Sequence, residues 1–323
     1  MATERAGAAA RIAAAAQTAC LLELMALKPG NVRRGRDLPG LTYRQLVLSA
    51  LAIGPAFRRH AGHRVGRLVL EAVRATRRHV PTNTNLGIVL LLAPLARAAQ
   101  LAAAAPGAGD RGSAAGRGGG GRAPAPARLR AALRRVLRGL DRRDARDAYR
   151  AIRLAQPGGL GRVRDQDVAS PPTVSLLWAM RLAAARDAVA REYATGFEAT
   201  FETGLPTLLA LRRRRVSVAA AIAQTHLTLL AERLDTLILR KRGPLAARDV
   251  SRRARFVLRA GGALTPRGRR LLLAFDRSLR RARPPRNPGA TADLVVASLF
   301  VWLVCSGRAP APPPRTPRRP PRP

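Results

Sequence analysis

Apolar residues recur at helical spacing along most of the chain. Of all the features of the sequence, this spacing restricts the possible fold classes most strongly. Between residues 64 and 80 they follow one another three and four positions apart, with charged residues on the opposite face, and residues 129–140 repeat the pattern. β-branched and aromatic residues rarely alternate with polar ones over four or more positions, as a half-buried strand would require. The sequence therefore predicts an all-α fold of about a dozen helices.

Proline and glycine mark the expected ends of these helices. Two segments are typical of helix starts with a capping side chain, residues 81–83 and 170–173. Three pairs are typical of breaks between helices: Gly158-Gly159, Gly243-Pro244 and Gly261-Gly262.

Two segments differ in composition from the rest of the chain. Residues 105–127 are a Gly/Ala/Arg/Pro insertion of low complexity, and residues 307–323 are a Pro/Arg tail. We expect both to be disordered, because neither buries enough apolar surface to offset the entropy lost on ordering. Residues 1–104 and 128–306 should together form one all-α domain.

The formal net charge is +40 over 323 residues, and such an excess of positive charge is typical of nucleic-acid-binding proteins. Here the arginines are spread over the whole chain, and three Tyr, two Trp and six Phe leave few rings to stack on bases. We therefore expect no specific nucleic-acid partner. A non-catalytic Arg-rich RNA-binding protein stays the alternative.

The cysteines and the apolar segments indicate a cytoplasmic protein. Cys20 and Cys305 lie far apart in apolar stretches and match no metal-ligand or redox spacing, so we expect small core residues in a reducing compartment. Glu23 interrupts the apolar run near the N-terminus, against a signal peptide. The run at 294–305 is shorter than the roughly 20 residues of a membrane span. We expect no membrane association, and the sequence leaves the oligomeric state open.

Lysine and asparagine are rare and are confined to four short motifs. The chain holds two lysines against 57 arginines and four asparagines, all within KPGNV (28–32), TNTNLG (82–87), DTLILRKRG (235–243) and NPGATAD (287–293). A chain rich in Ala, Arg, Gly and Pro is typical of a GC-rich genome, in which lysine and asparagine are readily replaced by other residues. Lysine then persists where arginine cannot replace its compact ammonium, and asparagine persists where no other side chain can replace its amide. The four motifs therefore predict a functional site.

The first motif breaks a helix at Pro29-Gly30 and leaves polar residues on an irregular loop, where functional groups are common. Its lysine and arginines suit a polyphosphate loop, with a basic helix C-terminus as the plain alternative. In the second motif, four successive Thr and Asn residues precede an apolar helix. One would suffice as a cap, so we favour a site for an anion or a ribose hydroxyl at the helix start.

The other two motifs combine a carboxylate with basic or amide groups. Asp235 could cap its helix or ligate a cation, and the Arg240-Lys241-Arg242 triplet could hold phosphates or complement the helix dipole. Asp293 could match the charge of a helix N-terminus or ligate a metal. The four histidines form no ligand constellation, and no familiar nucleotide-binding fingerprint occurs.

Six segments, in this order on a helical chain, resemble the triphosphoribosyl-dephospho-CoA synthase family, which includes proteins that serve citrate lyase and malonate decarboxylase maturation. They extend over nearly the whole chain apart from the insertion and the tail, at residues 19–32, 82–96, 156–168, 171–180, 235–243 and 287–300. The resemblance implies an all-α enzyme with ATP as substrate and Mg²⁺ as cofactor. In this family a dephospho-CoA ribose hydroxyl attacks the anomeric carbon of the ATP ribose, adenine leaves, and the triphosphate stays on the product.

This implied chemistry leads to an assignment of roles. Nucleotide and phosphate binding are assigned to Lys28, Asn31, Arg36, Thr82, Thr84, Arg240, Lys241 and Asn287. Catalysis around the ribose is assigned to Glu23, Asp37, Asn83 and Asn85, and magnesium to Asp235 and Asp293. The sequence does not decide which of the four carboxylates, Glu23, Asp37, Asp235 and Asp293, binds magnesium and which acts at the ribose. Asp165 and Asp167 form a second acidic pair, for which a plain role in an exposed loop is favoured.

The chain departs from the family pattern at several places. Members that serve citrate lyase usually carry a TNTHKG-like motif where this chain has Asn85-Leu86, and a histidine where it has Leu237. A histidine–aspartate pair after the first motif is replaced by RGRDLPGL. Two alternatives follow: a transfer to another acceptor in one-carbon or methanopterin-type cofactor synthesis, and a paralogue that binds ATP without turnover.

Overall fold

Thirteen α-helices and one π-helical turn form the regular structure of the described residues, 2–104 and 123–307, in a computed structural model. The helices are α1 (Ala2–Met25), α2 (Tyr43–Arg59), α3 (Val65–Arg77), α4 (Leu86–Ala104), α5 (Pro126–Arg138), α6 (Arg142–Ala155), α7 (Leu176–Ala183), α8 (Ala188–Thr195), α9 (Leu205–Arg213), α10 (Val218–Glu232), α11 (Thr236–Arg259), α12 (Pro266–Arg281) and α13 (Gly289–Ser306), with the π-helical turn at Ala199–Gly204. The extended pairing within the described ranges is limited to the isolated bridges Arg33–Arg36 and Leu38–Leu41. The all-α prediction is confirmed.

Most expected helix boundaries agree with the structure. The two periodic stretches form α3 and α5, and Gly158-Gly159 and Gly261-Gly262 lie between helices. Gly243 breaks the regularity of α11 with φ 80°. The starts expected at 81–83 and 170–173 both come slightly later, at Leu86 and Leu176. Ser175 caps α7 by accepting a hydrogen bond from the Trp178 amide.

The expectations for the insertion and the tail concern mostly residues 105–122 and 308–323, which lie outside the described ranges. Pro126 and Ala127, assigned to the insertion from composition, are the first two residues of α5. The domain boundaries expected from the sequence stay a prediction. Cys20 is buried and Cys305 half-buried, and both thiols are free within the described part of the chain.

Helices α4 and α13 pack against each other in the centre of the main hydrophobic core. Leu91, Leu92 and Leu95 of α4 and Val296 and Phe300 of α13 are fully buried. Each such side chain stabilises the fold by about 1.5–3 kcal/mol through burial. A second cluster joins α10, α11 and α12, so the start of α11 lies between two packed groups of helices.

Three helical segments are long and apolar enough to cross a membrane by length and composition: Ala6–Met25, Leu86–Ala104 and Gly289–Ser306. In the last two, 67% of the apolar window is buried inside the protein, so their apolar surface is used for helix packing. The last helix is 18 residues long, longer than the run at 294–305 used in the sequence argument. The lack of membrane association stays a prediction.

Candidate functional site

Two cavities adjoin where the four Lys/Asn motifs come together. The first, here the apolar cavity, has a volume of about 260 Å³, and the second, the basic cavity, has a volume of about 410 Å³. Both are lined by Asn83, Arg240 and Asn287, which we call the junction. A ligand that lies across the junction would contact both cavities.

The starts of four helices face the apolar cavity. Gly87 at the start of α4, Asp187 before α8, Leu237 in the first turn of α11 and Gly289 at the start of α13 all line it. A helix N-terminus carries unpaired amide groups and partial positive charge. The wall of this cavity is therefore suited to bind anionic or oxygen-rich groups.

The TNTNLG segment is held in place by its own side chains. Asn83 Oδ1 accepts a 3.2 Å hydrogen bond from the Leu86 amide and so caps α4, and Asn85 Nδ2 donates to Thr76 Oγ1 at 3.0 Å. Asn83, Thr84 and Asn85 line the apolar cavity. Thr82 lines neither cavity, and its hydroxyl is buried without a hydrogen-bond partner among the described residues.

Asp293 places a carboxylate in the wall of the apolar cavity. It forms no hydrogen bond or ion pair with the described residues. Gly87 makes room for it, because a Cβ on Gly87 would lie 2.1 Å from Asp293 Oδ2. Burial raises the pKa of Asp293 well above its usual value, and the carboxylates of Glu23, Asp235 and Asp187 raise it further. The site therefore concentrates negative charge that a cation would relieve.

Arg240 lies at the junction and forms an ion pair with Asp187. The other oxygen of Asp187 caps α8 by accepting from the Ala190 amide at 3.0 Å. This pair connects α11 to the start of α8 and directs the guanidinium between the two cavities. Arg240 Nε is buried and has no hydrogen-bond partner within the described ranges.

The basic cavity is named for the four cations in its lining: Arg240, Lys241, Arg242 and Arg286. Lys241 is exposed and packs against the Gly158-Gly159 loop, where a Cβ on Gly158 would lie 3.2 Å from the ammonium nitrogen. Arg286 pairs with Asp249 at 2.9 Å. The lining has the charge needed for a polyphosphate.

Asp235 anchors two helices at their starts. Its Oδ1 accepts 3.0 Å hydrogen bonds from the amides of Leu237 and Ile238 in α11. Its Oδ2 accepts from the amide and the hydroxyl of Thr291 in α13, both at 2.8 Å. Because each oxygen already accepts two hydrogen bonds, the structure explains Asp235 as the residue that joins α11 to α13, and its metal-binding role stays a prediction.

Lys28 and Glu23 lie behind the site and line neither cavity. Their side chains form a buried 3.0 Å ion pair. The following Gly30 has φ +78°, and a Cβ there would lie 2.5 Å from the Arg286 carbonyl oxygen, so this close approach needs glycine. Asn31 Nδ2 then donates to Asn287 Oδ1 at 2.7 Å. The KPGN loop thus reaches the junction through Asn31.

Arg36 and Asp37 are exposed and line neither cavity. Asp37 Oδ1 accepts a 2.7 Å hydrogen bond from the Tyr43 amide at the start of α2. Residues 38–41 of the same loop do line the basic cavity. The catalytic and phosphate-binding roles assigned to Asp37 and Arg36 stay predictions.

Sequence reasoning missed several residues in the apolar cavity, among them Tyr149, Arg186 and Asp187, and it favoured a plain loop role for Asp165 and Asp167, which also line it. Asp167 does support its loop, since its carboxylate accepts hydrogen bonds from the amides of Val163 and Ala169. Asp187 could have been found as a helix cap before residues 188–195, but a cap signal does not distinguish a cap from a site.

A sequence profile of the ATP:dephospho-CoA triphosphoribosyl transferase family matches residues 9–310. A protein of Stutzerimonas stutzeri (strain A1501), named as a probable 2-(5''-triphosphoribosyl)-3'-dephosphocoenzyme-A synthase, is 38% identical over 113 residues, which cover 35% of this chain and 38% of that protein. A protein of the same name from Pseudomonas syringae pv. syringae (strain B728a) is 30% identical over 167 residues, 49% of this chain and 53% of that protein. The chain therefore spans from about two fifths to one half of these relatives.

A solved structure from Archaeoglobus fulgidus, named as a candidate triphosphoribosyl-dephospho-CoA synthase, has the same fold. The superposition has a TM-score of 0.58 at 25% sequence identity and covers 80% of this chain and 99% of that one. The resemblance inferred from the six segments is confirmed, as is the expectation that the protein is a member of a transferase enzyme family. Because the family profile extends over residues 9–310, the chain belongs to the ATP:dephospho-CoA triphosphoribosyl transferase family.

Proposed function

We propose that the protein transfers the triphosphoribosyl group of ATP to 3'-dephospho-CoA, releases adenine, and forms 2'-(5''-triphosphoribosyl)-3'-dephospho-CoA. The observation that carries this proposal is the junction, where Asn83, Arg240 and Asn287 belong to both a basic and a largely apolar cavity. A reaction that joins a polyphosphorylated sugar to a long, partly apolar acceptor needs such a meeting point.

The basic cavity is proposed to hold the triphosphate. Arg240 and Arg242 offer planar forks for phosphate oxygens, and Lys241 adds a mobile point charge. Lys241 is exposed beside a glycine loop, so it can move to follow the phosphates. These contacts keep the triphosphate on the sugar while the bond at the anomeric carbon changes.

The junction and the TNTN segment are proposed to hold the ribose. The acceptor 2'-hydroxyl oxygen forms a bond to the anomeric carbon of the ATP ribose as the bond from that carbon to adenine breaks. The electron pair of the broken bond leaves with the base, and the hydroxyl proton passes to the base, so that adenine leaves as a neutral molecule. Asn83, Asn85 and Asn287, which line the apolar cavity, are proposed to orient the two sugars by hydrogen bonds. Holding the two reactants in line would supply much of the rate acceleration, because the entropy cost of bringing them together is then met by binding.

The family chemistry implies Mg²⁺, and the residues present fit it. No group of three or more His, Cys, Asp or Glu residues within the described ranges forms a metal cage, but Mg²⁺ typically binds one or two carboxylates together with substrate phosphates and water. Asp293, which has no partner in the described part of the chain, and Asp187 are proposed to hold the ion. When bound, Mg²⁺ would neutralise charge on the retained triphosphate.

Glu23 and Asp37 are proposed to act from outside the cavities. Glu23 raises the pKa of Asp293 through its charge and anchors Lys28, and Asp37 supports the loop that borders the basic cavity. The substrates, ATP and a CoA precursor, accord with the expected cytoplasmic location, which belongs to the same proposal.

A second candidate is the same donor chemistry with another acceptor. Leu86 and Leu237 stand where related sequences usually have polar residues, and both line the apolar cavity. The departures from the family pattern therefore fall on the wall that an acceptor would contact. An acceptor from one-carbon or methanopterin-type cofactor synthesis is the alternative.

The test is adenine release from ATP and Mg²⁺, measured by chromatography with and without 3'-dephospho-CoA, at salt high enough to strip bound RNA. Acceptor-dependent adenine supports the proposal. ADP as product, or bound ATP without any product, contradicts it and leaves the other acceptor or a paralogue without turnover. Arg240→Gln should lose most of the activity, whereas Arg259→Gln, an exposed arginine outside both cavities, should keep it.

The RNA-binding alternative has its own signature. Binding through dispersed arginines would weaken steeply with salt and would not depend on Asn83 as a single residue. If Asn83→Ala abolished adenine release while RNA retention stayed as in the wild type, RNA binding would be incidental to the site.

A further inference from the structure

We propose that the part of the apolar cavity away from the junction binds the pantetheine arm of the acceptor, and that Arg186 binds its diphosphate. This inference rests on the proposed function and extends it by giving the acceptor a location and an orientation. It concerns one molecule of stated chemistry, 3'-dephospho-CoA, whose arm is a flexible chain of methylene and amide groups.

The cavity has a part of its lining that it does not share with the basic cavity. This part comes from α6, α7 and the loop between them and includes apolar side chains such as Ile152, Val163, Met180 and Ala183. The same loop adds the polar residues Asp165, Gln166 and Asp167. Ligand sites typically combine apolar walls with a few polar groups that set the orientation. An occupant of this part must therefore have a substantial apolar surface.

Two leucines that line this part are open to solvent. Leu160, on the loop before α7, exposes 37% of its surface, and Leu182, on α7, exposes 43%. Burying apolar surface stabilises a complex in proportion to the area removed from water. A compact, planar adenine would not need both leucines as well as the groups near the junction, whereas a flexible arm that follows the groove would contact each of them.

Arg186 adds a positive charge to the cavity wall next to Asp187, which pairs with Arg240 at the junction. It lines the cavity and is exposed, and its guanidinium forms no ion pair with the described residues. Hydrogen bonds from the Ala169 and Val163 amides lower the pKa of the nearby Asp167 carboxyl most, and the charges of Arg162 and Arg186 lower it further. A guanidinium in a cavity wall that has no ion-pair partner among the described residues is suited to bind phosphate oxygens in a forked geometry.

The order of these groups along the chain matches the order of groups in the acceptor. Arg240 at the junction pairs with Asp187, Arg186 is the preceding residue, and Leu182 lies four positions earlier at the end of α7. In the acceptor, the reacting ribose is followed by the diphosphate and then by the arm. With the ribose at the junction, the diphosphate meets Arg186 and the arm reaches Leu182 and Leu160.

The experiment compares 3'-dephospho-CoA with ADP, which has the same adenosine diphosphate without the arm. Binding to the full chain is measured by isothermal titration calorimetry in the absence of ATP, and adenine release is measured separately. We expect the wild type to bind 3'-dephospho-CoA at least about 10-fold more tightly than ADP, since even one methylene group in an apolar pocket can contribute that much. Leu182→Asp should remove this preference, and Arg186→Gln should weaken both ligands alike.

The matched control is Leu273→Asp, a leucine 40% exposed on α12 that lines neither cavity; it should keep the preference. If circular dichroism shows that Leu182→Asp is unfolded, Leu160→Asp takes its place. Equal binding of the two ligands by the wild type, no binding of 3'-dephospho-CoA, or a preference that survives in the folded leucine variant overturns the inference. A preference without adenine release would support the arm site while contradicting the proposed transfer.

Discussion

Lys28 and Glu23 form a 3.0 Å ion pair, with 0% of the lysine side chain and 8% of the glutamate side chain exposed. The ammonium also donates to the main-chain carbonyls of Glu23 and Ala26, so all three of its protons have acceptors. The pair holds the end of α1 where the KPGN loop begins, and the loop then contacts Asn287 through Asn31. A residue expected to bind phosphate is thus part of the internal support of the junction.

Removing one partner of this pair should destabilise the protein strongly. We expect Lys28→Met to lower the free energy of unfolding by about 3–5 kcal/mol, because it leaves the Glu23 carboxylate buried and unpaired. The double variant Glu23→Gln/Lys28→Met should lose much less than the sum of the two single variants. Urea unfolding gives the three values, and strict additivity would show that the pair is not coupled.

Asp293→Asn should raise the stability of the protein and lower its activity. The raised pKa of Asp293 means that, between the unfolded and folded pKa values, the native state binds more protons than the unfolded state. The free energy of unfolding therefore falls as pH rises through this window. The variant should be more stable than the wild type at pH 8, equally stable at acid pH, and about 100-fold less active or worse, as for loss of one preorganised electrostatic group.

Asp167→Asn is the control for that experiment. Asp167 also lines the apolar cavity, but hydrogen bonds from the Ala169 and Val163 amides lower the pKa of its carboxyl. Its ionised form favours the fold, so this variant should gain no stability at pH 8. If Asp293→Asn were less stable than the wild type at pH 8, the account of a crowded carboxylate at the site would be wrong.

Gly87→Ala should displace the Asp293 carboxylate without unfolding the protein. A Cβ on Gly87 would lie 2.1 Å from Asp293 Oδ2, so the carboxylate must rotate away. We expect a loss of about 10²-fold in adenine release, as for a 1 Å misplacement of a reacting group, with an unchanged circular dichroism spectrum. Gly62→Ala, where a Cβ meets nothing within 4 Å, should behave as the wild type; equal activity of both variants would argue against a role for Asp293.

His226 should make the protein less stable in mild acid. Burial, followed by the charge of Lys28, lowers the pKa of His226 from 6.5 to about 3. Between these values the unfolded state binds more protons, so stability rises with pH. Lowering the pH from 7 to 5 should cost about 2 kcal/mol through this one residue.

Urea unfolding of His226→Leu at pH 7 and pH 5 measures this contribution. The variant should show a shallower loss of stability on acidification than the wild type. His79→Leu, at an exposed histidine, should keep the full loss. A slope in His226→Leu as steep as in His79→Leu would mean that other groups govern the acid response.

The prediction of fold class from the sequence was successful because helix formation depends on local patterns. The apolar spacing at 64–80 gave α3, and the Asn at 83 caps α4 as expected. The rarity of Lys and Asn also pointed to the junction, since Asn83, Arg240 and Asn287 all come from those motifs. These signals can be seen within a window of one or two helical turns.

The same local signals could not separate residues at the site from residues behind it. Lys28 and Lys241 are equally rare in the sequence, yet Lys28 is buried against Glu23 and Lys241 is exposed beside the basic cavity. Asp235 and Asp293 both precede or begin apolar helices, yet Asp235 accepts four hydrogen bonds and Asp293 has no partner among the described residues. Their different environments depend on which helix ends pack together.

The sequence by itself thus determined the all-α fold, most helix limits and the motifs from which the site is built, because propensity, capping and apolar periodicity act over a few neighbouring residues. Only the tertiary structure decided that α4, α8, α11 and α13 begin around one cavity, which brought Asp187 and Arg186 into it and left Lys28 behind it. The physical reason is that burial and charge pairing depend on contacts between residues far apart in the chain, as for Asn31 and Asn287, which are 256 positions apart, and no local pattern encodes such contacts.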